Sequence, residues 1–245
     1  MNKSRNNIET QSGSSNKIAA IHQPNYIPWL GYFYKIYQSD IFVFLDDAQF
    51  SNEGMHNYCY IKTPQGSFRL KIPVKQSLGN KINEVQTRYE LKWNEKHLKT
   101  IEFNYRRAKN FREVYYDISE LIGKEYLSLA SMNSSIIKFI AGKLGIITRY
   151  INSSELDIAG EKEERILKIC NKLGSEIYYS GTGAKAYQNE ENFNSHGIEL
   201  RYSVFNPFKY PQLWDGFQPN VTIIDFLMNC GYDWERVINS QKKNE

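Results

Sequence analysis

Apolar residues change their spacing several times along this chain, and each change predicts an element. Residues 17–21 form a short apolar run, 29–37 carry apolar side chains at helical spacing, and 41–45 form a second continuous apolar run that ends in Asp46 and Asp47. That order reads as strand, loop, helix and strand. A right-handed crossover makes two such strands parallel, and open α/β sheets bind ligands at the loop leaving the first strand's carboxyl end. His22, Gln23, Asn25 and Tyr26 occupy that loop.

Alternation at 58–62 and 67–74 around Pro64-Gln65-Gly66 predicts a β-hairpin, placed to fold over the mouth of the proposed site. Residues 76–83 read as a polar loop and 85–89 as a short strand. Helical spacing then begins at 94 and continues through 111–122 and 126–144, with Gly123 and Gly145 as stops. Strand and helix alternate afterwards: strands at 146–151, 176–179 and 198–204, helices at 162–173, 190–195 and 220–229. The fold class expected is α/β, a Rossmann-like, mainly parallel sheet with a β-hairpin insertion and a helical middle layer at about 92–144. One domain over 17–240 follows, behind a polar leader at 1–16 that has no apolar period and is expected to be disordered.

Composition narrows the function classes. The 245 residues are 41% hydrophobic and 24% charged, as a globular chain should be, and 14% aromatic with 18 tyrosines, which suits both mixed cores and sugar- or base-lined clefts. The net charge of +4 is dispersed, so no nucleic-acid polymer is expected as partner. No apolar stretch is long enough for a transmembrane segment and no signal peptide is evident, so a cytoplasmic location is expected. Cys59, Cys170 and Cys230 lack paired spacing and read as buried thiols, and the scattered histidines argue against a metal site.

Candidate chemistry centres on the first loop. A neutral imidazole at a strand end can act as general base, contact a ligand, or only bond the loop backbone, and His22 is open to all three. Asp46 or Asp47 could orient it, although neighbours in a strand face opposite ways, so one of the two is expected to reach the site. Gln23, Asn25, Tyr26 and Trp29 are candidate substrate contacts, with His56 and Asn57 meeting them from the segment before the hairpin. Trp93 and His97 share a helix face, and Ser180-Gly181-Thr182-Gly183 could converge backbone amides on an anion. Each also has an ordinary structural use in a core or a turn.

The stretches IHQPNYIPWLGYFYKI, DIFVFLDDAQF, HNYCYIKTPQG, KWNEKHLKTIEFNY, SSEL, ILKICNKLGSEIYYSGTGAKAY, NPFKYPQL and PNVTIIDFLMNCG resemble, in order and spacing, the WbqC-like protein family of bacterial polysaccharide clusters. The resemblance implies a role in O-antigen or capsule synthesis, as a transferase placing glycine or another acyl group on an amino sugar, with the sugar nucleotide-linked. Asn57-Tyr58-Cys59 departs from an Asn-Arg-Asn-like segment usual in the family. The layout of 17–47 is also similar to nucleotidyltransferase-like domains, but Tyr26-Ile27-Pro28-Trp29 stands where those carry two histidines, which removes the support for adenylyl transfer. The leading expectation is an acyl- or aminoacyltransferase with His22 as base, its cofactor unknown and its donor an acyl thioester or activated amino acid. A carrier protein or polysaccharide-assembly enzymes are candidate partners. The alternatives are a non-catalytic sugar-nucleotide-binding protein and a carboxylate-metal-dependent transferase or hydrolase.

Overall fold

The computed structural model describes residues 17–243, so the expected leader at 1–16 lies outside the described residues. The chain opens with β1 (Ile18–His22), α1 (Leu30–Tyr37) and β2 (Ile41–Phe44). The hairpin β3 (Tyr58–Thr63) and β4 (Gly66–Lys71) follows, then the two-residue strands β5 (Val74–Lys75) and β6 (Gln86–Thr87), which pair with each other. Three helices come next, α2 (Trp93–Tyr105), α3 (Phe111–Ile122) and α4 (Leu129–Lys143). The remainder is β7 (Arg149–Asn152), α5 (Lys162–Leu173), β8 (Ile177–Gly181), α6 (Glu190–Ser195), β9 (Glu199–Ser203), α7 (Ile223–Cys230) and α8 (Trp234–Lys242).

Five strands form one sheet in the order β7-β2-β1-β8-β9, every neighbouring pair parallel. Counted along the chain this is the 3-2-1-4-5 order of a doubly wound sheet, whose strand order reverses between β1 and β8. The strands' period of two splits the core. Ala20, Phe42 and Phe44 face α1 and the helical layer in one cluster, whereas Ile21, Ile41 and Val43 face α5 and α6 in another. Ile101, Ile118, Ile137 and Phe226 belong to the first cluster, so the helical middle layer packs directly on the sheet.

Local chemistry explains where the structure departs from the periodic reading. The second hairpin strand stops at Lys71 because the Ile72 carbonyl accepts from the Asn57 side chain and Pro73 has no N–H to continue the ladder. The strand expected from 146 starts at Arg149, since the Ile146 amide returns to the Ala141 carbonyl and closes α4 through Gly145 at φ 72°. α8 has no counterpart in the sequence reading; Asp233 caps it by accepting from the Arg236 amide at 3.1 Å. The hairpin buries Cys59, Ile61 and Leu70 in the helical-layer core.

Gly31 lets α1 start beneath a tryptophan. A Cβ there would stand 2.4 Å from Trp29 Cη2, and the Trp29 ring packs edge-on against Phe205 at 5.4 Å. Gly31→Ala is expected to displace that ring and destabilise the protein by about 1–3 kcal/mol, read as a lower urea midpoint at unchanged slope.

Candidate functional site

His22 ends β1 and turns toward the helical layer, where its ring meets Tyr32 edge-on at 4.7 Å. Its Nδ1 lies 3.0 Å from the Gln23 carbonyl, which also accepts from the Tyr32 hydroxyl at 2.9 Å. A carbonyl can only accept, so the proton sits on Nδ1 and Nε2 carries the lone pair. Burial, helped by the nearby Lys35, pushes the imidazole down to about 3. His22 is therefore neutral across the physiological range.

Lys35 is a buried neighbour of His22 that the sequence reading did not single out. It is buried in α1, and its Nζ donates to the Ile21 carbonyl at 2.9 Å; burial lowers its amine to about 7. The signal was present, since Lys35 is the one charged residue in the otherwise apolar or tyrosine-bearing helix LGYFYKIY. His56 packs behind this group. Burial pushes its ring down to about 4, and its Nδ1 has no hydrogen-bond partner among the described residues.

Asp46 and Asp47 diverge, as neighbours leaving a strand should, and both turn to the loop after β7 instead of to His22. Asp46 is buried and accepts from the Ser154 amide at 3.0 Å, the Ser154 hydroxyl at 2.6 Å and the Ser153 hydroxyl at 3.2 Å. Asp47 accepts from Ser153 and pairs with Arg165 of α5. Burial raises the Asp47 carboxyl, but the hydrogen bonds from Arg165 and Ser153 outweigh it and hold the group below the ordinary carboxylate range. The orientation of His22 thus comes from Gln23 and Tyr32, because both aspartates are already engaged by donors from Ser153, Ser154 and Arg165.

Asp47 lines a cavity of about 1030 Å³ on the α5 face of the sheet. Its walls come from the segment after β2, from Gly79 and Lys81 of the 76–83 loop, from the start of α5, and from Tyr178, Tyr187 and Gln188 in and after β8. β2 and β8 flank β1, so the cavity lies over the sheet's carboxyl edge beside the point where strand order reverses, the place where doubly wound sheets bind ligands. A second cavity of about 500 Å³ adjoins it, lined by Asn83, Glu84, Ser153, Ser154 and Asp157, and shares Asp47 and Lys81 with the first.

Other predicted contacts lie elsewhere. Tyr26 is fully buried, its hydroxyl 3.1 Å from His97 Nδ1 and its ring edge-on to Trp93, so these three form closed core with no face for a sugar. Asn57 is buried and donates to the Ile72 carbonyl at 2.9 Å. Trp29 is half-buried against Phe205, and Asn25 is half-buried in the loop. Ser180 is buried beneath the Tyr178 hydroxyl. Gly181 is extended at φ −82° and the chain enters a 3-10 turn at Thr182–Tyr187; neither Gly181 nor Gly183 has the positive φ that a converging nest of amides needs. That turn instead carries Ala184 and Tyr187 to the cavity wall.

Among the described residues no group of three or more His, Cys, Asp or Glu side chains converges as a metal site would, and no helix is long and apolar enough to cross a membrane.

A family model described as the WbqC-like protein family matches residues 23–237. The chain is also 34% identical over 219 residues to the "Uncharacterized protein Rv1507c" of Mycobacterium tuberculosis (strain ATCC 25618 / H37Rv), covering 88% of this chain and 94% of that protein. No solved structure matches significantly.

Proposed function

Because the chain belongs to the WbqC-like protein family, we propose that it transfers an acyl or aminoacyl group to the amine of a nucleotide-linked amino sugar in surface-polysaccharide synthesis. The observation that carries this reading is the cavity of about 1030 Å³ at the carboxyl edge of a doubly wound sheet, large enough for such a ligand and bordered by an ionised aspartate. In this reading Asp47 accepts a hydrogen bond from the attacking amine and aims its lone pair at the acyl carbon. The amine nitrogen bonds that carbon, the thiol or other activating group departs, and the amine's proton leaves to solvent. His22, which turns to the other face of the sheet, holds the loop at the end of β1.

Incubation with amino-sugar nucleotides and acyl-thioester or activated amino-acid donors, followed by mass spectrometry, tests it: a mass gain on the sugar is expected, and no gain with any pairing overturns it. Asp47→Asn should lower that product formation on the order of a hundredfold while the far-ultraviolet spectrum is kept. One observation favours a second reading, a non-catalytic sugar-nucleotide binder: Asp47 is tied to Arg165 and held below the ordinary carboxylate range, which makes it a poor proton acceptor. Tight sugar-nucleotide binding without any mass gain would select it.

A further inference from the structure

We propose that the two adjoining cavities are separate subsites meeting at Asp47, the smaller for the protonated amine of a polyhydroxylated ligand and the larger for an aromatic anion. The proposal deepens the transferase reading by giving the acceptor's amino sugar and its nucleotide their own chambers, the bound ammonium losing a proton to solvent before it attacks, and it rests on that reading for the reaction alone.

The chambers share Asp47, Lys81, Ile158 and Ala159, so they are two ends of one cleft. Their chemistry differs. The smaller holds the carboxylates of Glu84 and Asp157, besides the Asp47 that Arg165 neutralises, against a single ammonium, Lys81. Hydrogen bonds from the Lys81 amide and from Asn80 hold Glu84 below its ordinary range, so it is ionised beside the equally ionised Asp47. Ser153 and Ser154 add hydroxyls, and Asn83 contributes a buried Oδ1 that has no donor. Excess negative charge, hydroxyls and an orphaned acceptor suit an ammonium on a polyol.

The larger chamber is walled by Leu45, Ile158, Ile166, Tyr178 and Tyr187, and the Tyr187 ring is 83% exposed, an unusual position for a tyrosine with no packing role. Two of its three acids are occupied within the fold, and the third, Glu161, stands at the start of α5. Asp47 is paired with Arg165, and Glu163 accepts from the Asn189 amide at 2.7 Å and from Asn192 Nδ2 at 2.6 Å. Lys81 and Lys162, by contrast, form no ion pair among the described residues. Two unpaired ammonium groups beside an exposed ring and apolar walls suit a planar ring system bearing phosphate.

Isothermal titration of the full chain with glucosamine, N-acetylglucosamine, ADP and adenosine tests the assignment. Glucosamine is expected to bind about tenfold more tightly than N-acetylglucosamine, and ADP more tightly than adenosine by about the same factor. Glu84→Gln and Asp157→Asn should weaken glucosamine alone, and Tyr187→Ala should weaken ADP alone. All three positions are exposed, so the fold is kept. Glucosamine and ADP should also bind together. Equal affinity for the amine and its acetylated form, competition between glucosamine and ADP, or binding of neither would overturn the two subsites. Two independent ligands with no transfer product would sink the transferase reading and leave the subsites standing; product formation with mutually exclusive probes would do the reverse.

Discussion

Lowering the pH from 7 to 5 is expected to remove roughly 4 kcal/mol from the folding free energy, most of the margin of an ordinary domain. Burial holds His22 at about 3 and His56 and His97 at about 4, against 6.5 for a free imidazole. Between about 4 and 6.5 the unfolded chain binds three protons that the folded one refuses, so stability present above 6.5 is lost as pH falls. Each histidine then contributes about 2 kcal/mol of loss by pH 5. Asp225 works in the opposite direction. Burial raises its carboxyl to about 6 despite hydrogen bonds from Tyr210 and Tyr105, so the folded state binds a proton there first and regains about 1 kcal/mol over the same interval. Urea midpoints at pH 7, 6 and 5 check the sum, and a midpoint flat to pH 5 would contradict it. His97→Gln should reduce the slope by one proton's worth, about 1.4 kcal/mol per pH unit.

The same histidines show what could be read from the chain and what could not. Amphipathic spacing places α3, α5 and α6 at the bounds predicted for them, because one apolar stripe faces the core and the pattern is local. The parallel order of β1 and β2 follows from the length of the crossover. Site assignments depend on partners far along the chain. Tyr26 and His97, 71 residues apart, satisfy each other, and a polar tip satisfied by the protein looks identical in sequence to one awaiting a ligand. Asp46 and Asp47 both accept from Ser153, and it is Arg165, 118 residues from Asp47, that holds Asp47 at the cavity wall. The cavity joins segments near 47, 81, 160 and 187, none of which carries a motif by itself. Lys35 is the counterexample: a lone ammonium on an apolar helix is visible without any structure.

Replacing Asn133 should have the largest effect of any single polar substitution. It lies fully buried in the middle of α4, where asparagine is a poor helix former, and its Nδ2 donates to the Pro24 carbonyl at 2.9 Å and the His56 carbonyl at 2.7 Å. One amide therefore clamps the loop after β1 to the segment before the hairpin. Asn133→Leu keeps the branched shape but leaves two carbonyls in the core without donors, an expected loss of about 2–5 kcal/mol. Asn133→Asp should lose more at pH 7, because a carboxylate facing two carbonyl oxygens repels both and must be protonated to bond either. Urea unfolding of the two variants gives the order, and a leucine variant within about 0.5 kcal/mol of the parent would mean that water satisfies both carbonyls. The clamp also reaches the site. Pro24 follows the residue whose carbonyl fixes His22 Nδ1, so releasing it admits water to the imidazole and relieves the burial that depresses it. His22 in Asn133→Leu should then titrate closer to 6.5 by nuclear magnetic resonance, while His97, anchored by Tyr26, stays where it was.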